Sequence, residues 1–120
     1  MGRVDARPVL GRNGEDLAAE FYERLGYRVL DRNFRVDEGE LDIVAGRKDE
    51  IVFCEVKTRR SDAWGAPAEA VAWKKQQRLR RLAARWMHDR RPGPVEVRFD
   101  VVSIVMRDGV PEITHLPGAF

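Results

Sequence analysis

The sequence predicts a single α/β domain with a mixed central sheet of about five strands flanked by helices. Three observations predict it. Apolar residues recur at helical spacing in two segments, over residues 14–25 and 68–89. Strand-like runs bounded by turn residues follow each of them, three after the first and two after the second. The 120 residues suffice for one domain with one modest core. A helix, three strands, a helix and two strands pack most simply as a sheet covered by its helices.

Residues 1–12 read as a flexible basic arm and 13–120 as the domain. Asn13 is placed to cap the first helix, with Asp16 three residues on. Leu17, Ala18, Phe21 and Leu25 form its apolar stripe, and Gly26 ends it. Strands are expected over 27–34, 40–46 and 51–58, the first turn running through Asp37, Glu38 and Gly39. The polar stretch RKDE between the second and third reads as a hairpin turn. Pro67 suits the first turn of the second helix, whose apolar side is Val71, Leu79, Leu82, Ala83 and Trp86. RRPGP breaks that helix. VEVRFDVVSIVM is the fourth strand, and Asp108-Gly109 signals a tight turn into a short fifth, where Pro111 suits a sheet edge.

The central hairpin can be put in register. Pairing Gly46 with Ile51 sets Val44 beside Phe53, Asp42 beside Glu55, and Glu40 near Lys57. Alternation then places Asp42, Glu55 and Lys57 on one face, and Leu41, Ile43 and Ala45 with Val52, Cys54 and Val56 on the other. Directly opposed carboxylates have Cβ atoms about 5 Å apart, a spacing that suits a shared divalent ion. Asp42 and Glu55 are therefore candidate metal ligands, with the main-chain carbonyl of Val56 as a third. Lys57 is placed to steady an attacking water or balance charge on phosphate. Glu15, early in the first helix, is a further candidate ligand, directly or through water. The plain alternative is a surface hairpin with a cross-strand salt bridge.

Charge points the same way. Net charge is only +2, but residues 74–91 hold eight Lys or Arg against one Asp. Lys74, Arg78, Arg81 and Arg85 follow one another at three or four residues, a basic stripe able to meet a phosphate backbone. Arg59 and Arg60 follow the ExK run and could hold a neighbouring phosphate, as could Lys74 and Gln77. Trp64, Trp73 and Trp86 read as packing residues. Cys54 is the only cysteine, which excludes an internal disulfide and a thiolate zinc cluster; inside an apolar strand it reads as packing. His88 and His115 have no partner at ligand or catalytic-base spacing. No glycine-rich phosphate loop is present. No apolar run approaches the roughly 20 residues of a spanning helix, and the first residues lack an apolar signal core, so a cytoplasmic location is expected.

The segments GRNGEDLAAEFYERLGYRVLDRNFR, GELDIVA and FCEVKTR, with the closing ITHLPGAF, closely resemble the YraN-like family of small bacterial proteins. The match covers nearly the whole chain. The resemblance implies a restriction-endonuclease-like fold, similar to that of archaeal Holliday junction resolvases. That superfamily carries a D…(D/E)xK metal site, often with an extra Glu on the first helix. By position the motif falls on Asp42, Glu55 and Lys57, and the helix glutamate on Glu15; Leu41 stands where the named motif has proline. The resemblance implies an endonuclease dependent on Mg²⁺ or Mn²⁺, cleaving structured or damaged DNA. Junction resolvases act as dimers, so it also implies a homodimer or a partner protein. The alternative is a non-catalytic, accessory nucleic-acid-binding protein on a nuclease scaffold. RNA stays open as a substrate, since phosphate contacts do not read the sugar.

Overall fold

A computed structural model describes residues 13–60 and 71–120, with the side chain of Arg60 left aside. The elements run α1 (Gly14–Arg24), β1 (Arg28–Val36), β2 (Gly39–Arg47), β3 (Glu50–Arg60), α2 (Trp73–Arg90), β4 (Glu96–Arg107) and β5 (Val110–Leu116). The strands form one sheet in chain order. β3 and β4 are parallel and the other neighbours antiparallel. This is the expected mixed five-stranded sheet with a helix on either face, a restriction-endonuclease-like architecture. The expected arm and residues 61–70, with Trp64 and Pro67 among them, lie outside the described residues.

The local signals explain the elements. Asn13 Oδ1 accepts the Asp16 N–H at 2.9 Å, and Asp16 Oδ2 accepts the Asn13 N–H at 3.2 Å. This reciprocal box satisfies two amides that would otherwise lack helical partners. Gly26 takes φ +92 just past α1, where a side chain would be strained. Asp108 and Gly109 both have positive φ, as the tight turn into β5 requires. The helix expected from residue 68 starts as α2 only at Trp73; Val71 is buried before it, and Ala72 is extended (φ −59, ψ 147). Trp73 is 70% exposed, whereas Trp86 is buried as expected.

Two cores cover the sheet. α1 packs Leu17, Ala18 and Tyr22 against Ile43, Ala45, Val52, Cys54, Val102 and Ile104. α2 packs Leu79, Leu82, Ala83 and Trp86 against Val44, Phe53, Phe99 and Val101. Leu41 belongs to this second core rather than, as alternation predicts, to the α1 side. Alternation is broken at this level in both β1 and β2. Arg32 pairs with Ile43 and Phe34 with Leu41, so Asn33, at φ +54, stands between them across from Asp42. A left-handed residue turns the strand, and Asn tolerates that region better than most. As a result Asp31 and Phe34 both face α2, while Arg32 between them reaches Asp16 of α1.

Candidate active site

The hairpin register is the expected one: Gly46 pairs with Ile51, Val44 with Phe53 and Ile43 with Cys54. Pairing stops there. The Val56 N–H instead donates to Asp42 Oδ2 at 2.8 Å. Asp42 thus sits at the alternation break with its carboxylate directed at the next strand, not squarely on a face beside Glu55. Glu55 keeps the alternation of Phe53 and faces α2. It is 8% exposed and is flanked by Leu41, Phe53, Leu79, Phe99 and Phe120. Its carboxylate is bound by the ammonium of Lys75, in the first turn of α2. Lys75 was missed by the sequence reading, which favoured Lys74 and Gln77. Nothing in the local sequence separates two adjacent lysines; only the pose of α2 on the sheet does.

Asp42 feels the acidic groups around it. The Asp42 carboxyl is pushed up to about 7, first by burial and then by the negative charges of Glu55, Glu15 and Glu40, against the opposing Val56 N–H. Glu15 is therefore within electrostatic reach of Asp42, though its carboxylate also lies 4.0 Å from Arg32. α1 approaches β3 closely at this point: a Cβ on Gly14 would lie 2.0 Å from Thr58 Oγ1. Glu40 accepts from Arg35 at 3.1 Å, its β1 neighbour, rather than meeting Lys57. Lys57 is half-buried and pairs across the parallel ladder with Ser103. The Ser103 hydroxyl is buried and lacks a hydrogen-bond partner among the described residues. Among those residues no group of three or more His, Cys, Asp and Glu gathers closely enough to hold a metal ion.

The basic stripe is real but partly matched from within. Lys74 and Arg78 are exposed; Arg81 pairs with Glu38 at 3.2 Å, and Arg85 with Asp89 at 3.2 Å. Gln77 and Arg59 are half-buried, and Arg60 ends β3.

His115 is not isolated. Its Nε2 lies 2.7 Å from Asp100 Oδ2, which also accepts the Tyr22 hydroxyl at 2.7 Å. Arg98 donates to both oxygens of Asp100, and the Gly118 N–H donates at 3.0 Å. Despite full burial, these donors hold the Asp100 carboxyl below its ordinary value. The network ties α1, β4, β5 and the chain end together. Cys54 is buried, as expected, and burial pushes its thiol up.

A family profile described as "Uncharacterised protein family UPF0102" matches residues 14–104, a span that holds Glu15, Asp42, Glu55, Lys57 and Lys75. The chain belongs to the UPF0102 family. Its UPF0102 relatives include a protein of Rhodococcus jostii, 47% identical over 92% of this chain and 95% of its own. One from Frankia alni is 48% identical over 96% of this chain and 97% of its own. One from Syntrophotalea carbinolica is 47% identical over 92% and 90%. UPF0102 is the family of small bacterial proteins that the sequence resembles, related to the restriction-endonuclease-like fold. No helix among the described residues is long and apolar enough to cross a membrane.

Proposed function

We propose that this chain is a divalent-metal-dependent endonuclease that hydrolyses phosphodiesters in structured or damaged DNA. One observation carries the reading: just beyond the last paired residues of the β2–β3 hairpin, the charge of Glu55 joins burial in pushing the Asp42 carboxyl up to about 7. Carboxylates crowded in this way accept a hard cation readily. The orphaned hydroxyl of Ser103, beside Lys57 in the ladder, offers a further polar atom to a bound water. Asp42, Glu55 and the Val56 carbonyl are the oxygen donors that would hold Mg²⁺ or Mn²⁺, with Glu15 reaching it through water.

When bound, such an ion neutralises charge on the phosphate and acidifies a water. The chain's residues do the rest. Lys57 would orient an attacking water and offset the charge that grows on the phosphoryl oxygens. Arg59, Arg60, Lys74 and Gln77 hold neighbouring phosphates, and Arg78, Arg81 and Arg85 track the backbone. Two-fold symmetric substrates would call for a homodimer or a partner protein.

A second reading has its own support. With no three-carboxylate set among the described residues, and Lys75 on Glu55, the scaffold suits an accessory protein that binds nucleic acid without cutting it. The deciding experiment is cleavage of labelled single strands, duplex, flap, fork, four-way junction and RNA by wild type and Glu55→Ala, each with Mg²⁺, Mn²⁺ or EDTA. Metal-dependent cleavage lost in Glu55→Ala is expected. Cleavage of no substrate above the variant's background, with binding retained, would establish the accessory role instead.

A further inference from the structure

We infer that Lys75 is a tethered counter-ion, which occupies the cation position at Glu55 in the metal-free protein and yields it to a divalent ion. The inference rests on the reading of Glu55 as a metal ligand. Glu55 is 8% exposed among apolar side chains, so its charge needs a partner at all times. Lys75 supplies that partner from the facing helix.

The position of Lys75 is hard to explain by helix stability. It lies in the first turn of α2, where the helix dipole disfavours cations. That turn carries no acidic residue, and Ala72 provides no side-chain cap. The ion pair with Glu55 gives a lysine at this place a reason. It also has a way out. The Lys75 side chain is 33% exposed and the Glu55 side chain only 9%, so the lysine is the member of the pair that reaches solvent. A divalent ion on Glu55 would repel it toward water along its flexible stem. Released there, beside the exposed Lys74, it becomes a phosphate contact available only in the loaded state. Metal and nucleic acid would thereby favour each other's binding.

The test is Mn²⁺ binding without nucleic acid, by titration calorimetry and by the electron paramagnetic resonance signal of free Mn²⁺, on wild type, Lys75→Met, Lys75→Gln, Lys75→Arg and Glu55→Ala. The two neutral variants are expected to bind Mn²⁺ about tenfold more tightly than wild type, because the competing charge is gone. Lys75→Arg should stay weak. The metal-free neutral variants should melt below wild type, and the gap should close when Mn²⁺ is added. Unchanged or weaker Mn²⁺ affinity in both neutral variants would overturn the inference. The two levels separate cleanly. If Glu55→Ala abolishes binding but the neutral variants do not tighten it, only the role of Lys75 falls. If Glu55→Ala binds as wild type does, or no variant binds Mn²⁺, the metal-site reading falls and takes the inference with it.

Discussion

Two carboxylates on one sheet show how surroundings, not residue type, set the charge of an aspartate. Asp100 is fully buried, yet Arg98, His115, Tyr22 and the Gly118 N–H surround it, and its carboxyl is held below the ordinary value. Its contribution to stability is complete above the ordinary carboxylate range and is lost as pH falls through its lowered value. Asp42 has one amide donor and three acidic neighbours, and it is pushed from 3.8 to about 7. Its sign is the reverse. The stability it contributes is complete below its ordinary value and is lost as pH rises through about 7. Asp42→Asn keeps an oxygen for the Val56 N–H but never ionises. In EDTA this variant should be more stable than wild type at pH values above about 7, by on the order of 1–2 kcal/mol after discounting solvent screening. The gain should vanish once acid neutralises Asp42. Urea unfolding across pH measures it, and a constant difference at every pH would mean that Asp42 is not strained by its neighbours.

At the scale of elements, what was legible in the sequence was what is local. The β2–β3 register followed from Gly46 and Ile51 flanking a short polar turn, and the capping box of α1 from Asn13 and Asp16. The alternation break was not legible, because it depends on Asn33 adopting a left-handed conformation in a neighbouring strand. At the same level of the sheet Leu41 joins the α2 core and Asp42 turns to the Val56 N–H. The late start of α2 was equally hidden: Val71 fits the helical stripe but is buried ahead of the helix, and Ala72 after it is extended. The junction of α1 with β3 yields a prediction of its own. Gly→Ala in a helix usually stabilises by up to about 1 kcal/mol. At Gly14 the new methyl would lie 2.0 Å from Thr58 Oγ1 and 3.3 Å from Thr58 Cβ. Gly14→Ala should therefore destabilise, by about 1 kcal/mol. Thr58→Ala should recover part of that loss in the double variant, and a double-mutant cycle of denaturant midpoints reads the coupling. Strict additivity would show that helix and strand do not meet there.

For the whole molecule, the order of elements and the sheet were legible because periodicity and turn chemistry decide them. Interactions between distant segments were not. Tyr22 and Asp100 are 78 residues apart, and no spacing rule joins His115 to either. The same limit applies to charge. The sequence displays α2 as an open basic stripe, but the β1–β2 turn folds against it and sets Glu38 on Arg81. Both side chains are more than half exposed, so the pair contributes little to stability and is readily exchanged for a phosphate. Its effect on binding is larger, since Glu38 repels the same phosphates that Arg81 would attract. Glu38→Gln should leave the melting temperature nearly unchanged and tighten the binding of duplex or four-way-junction DNA roughly two- to tenfold at low salt. The gain should shrink as salt rises, because it comes from screened charge rather than from a new contact. Fluorescence anisotropy in EDTA, which separates binding from cleavage, measures both. An affinity indifferent to Glu38→Gln at low salt would place the nucleic acid away from the Arg81 end of α2, and the interface would then have to be sought around Lys74, Gln77 and the end of β3.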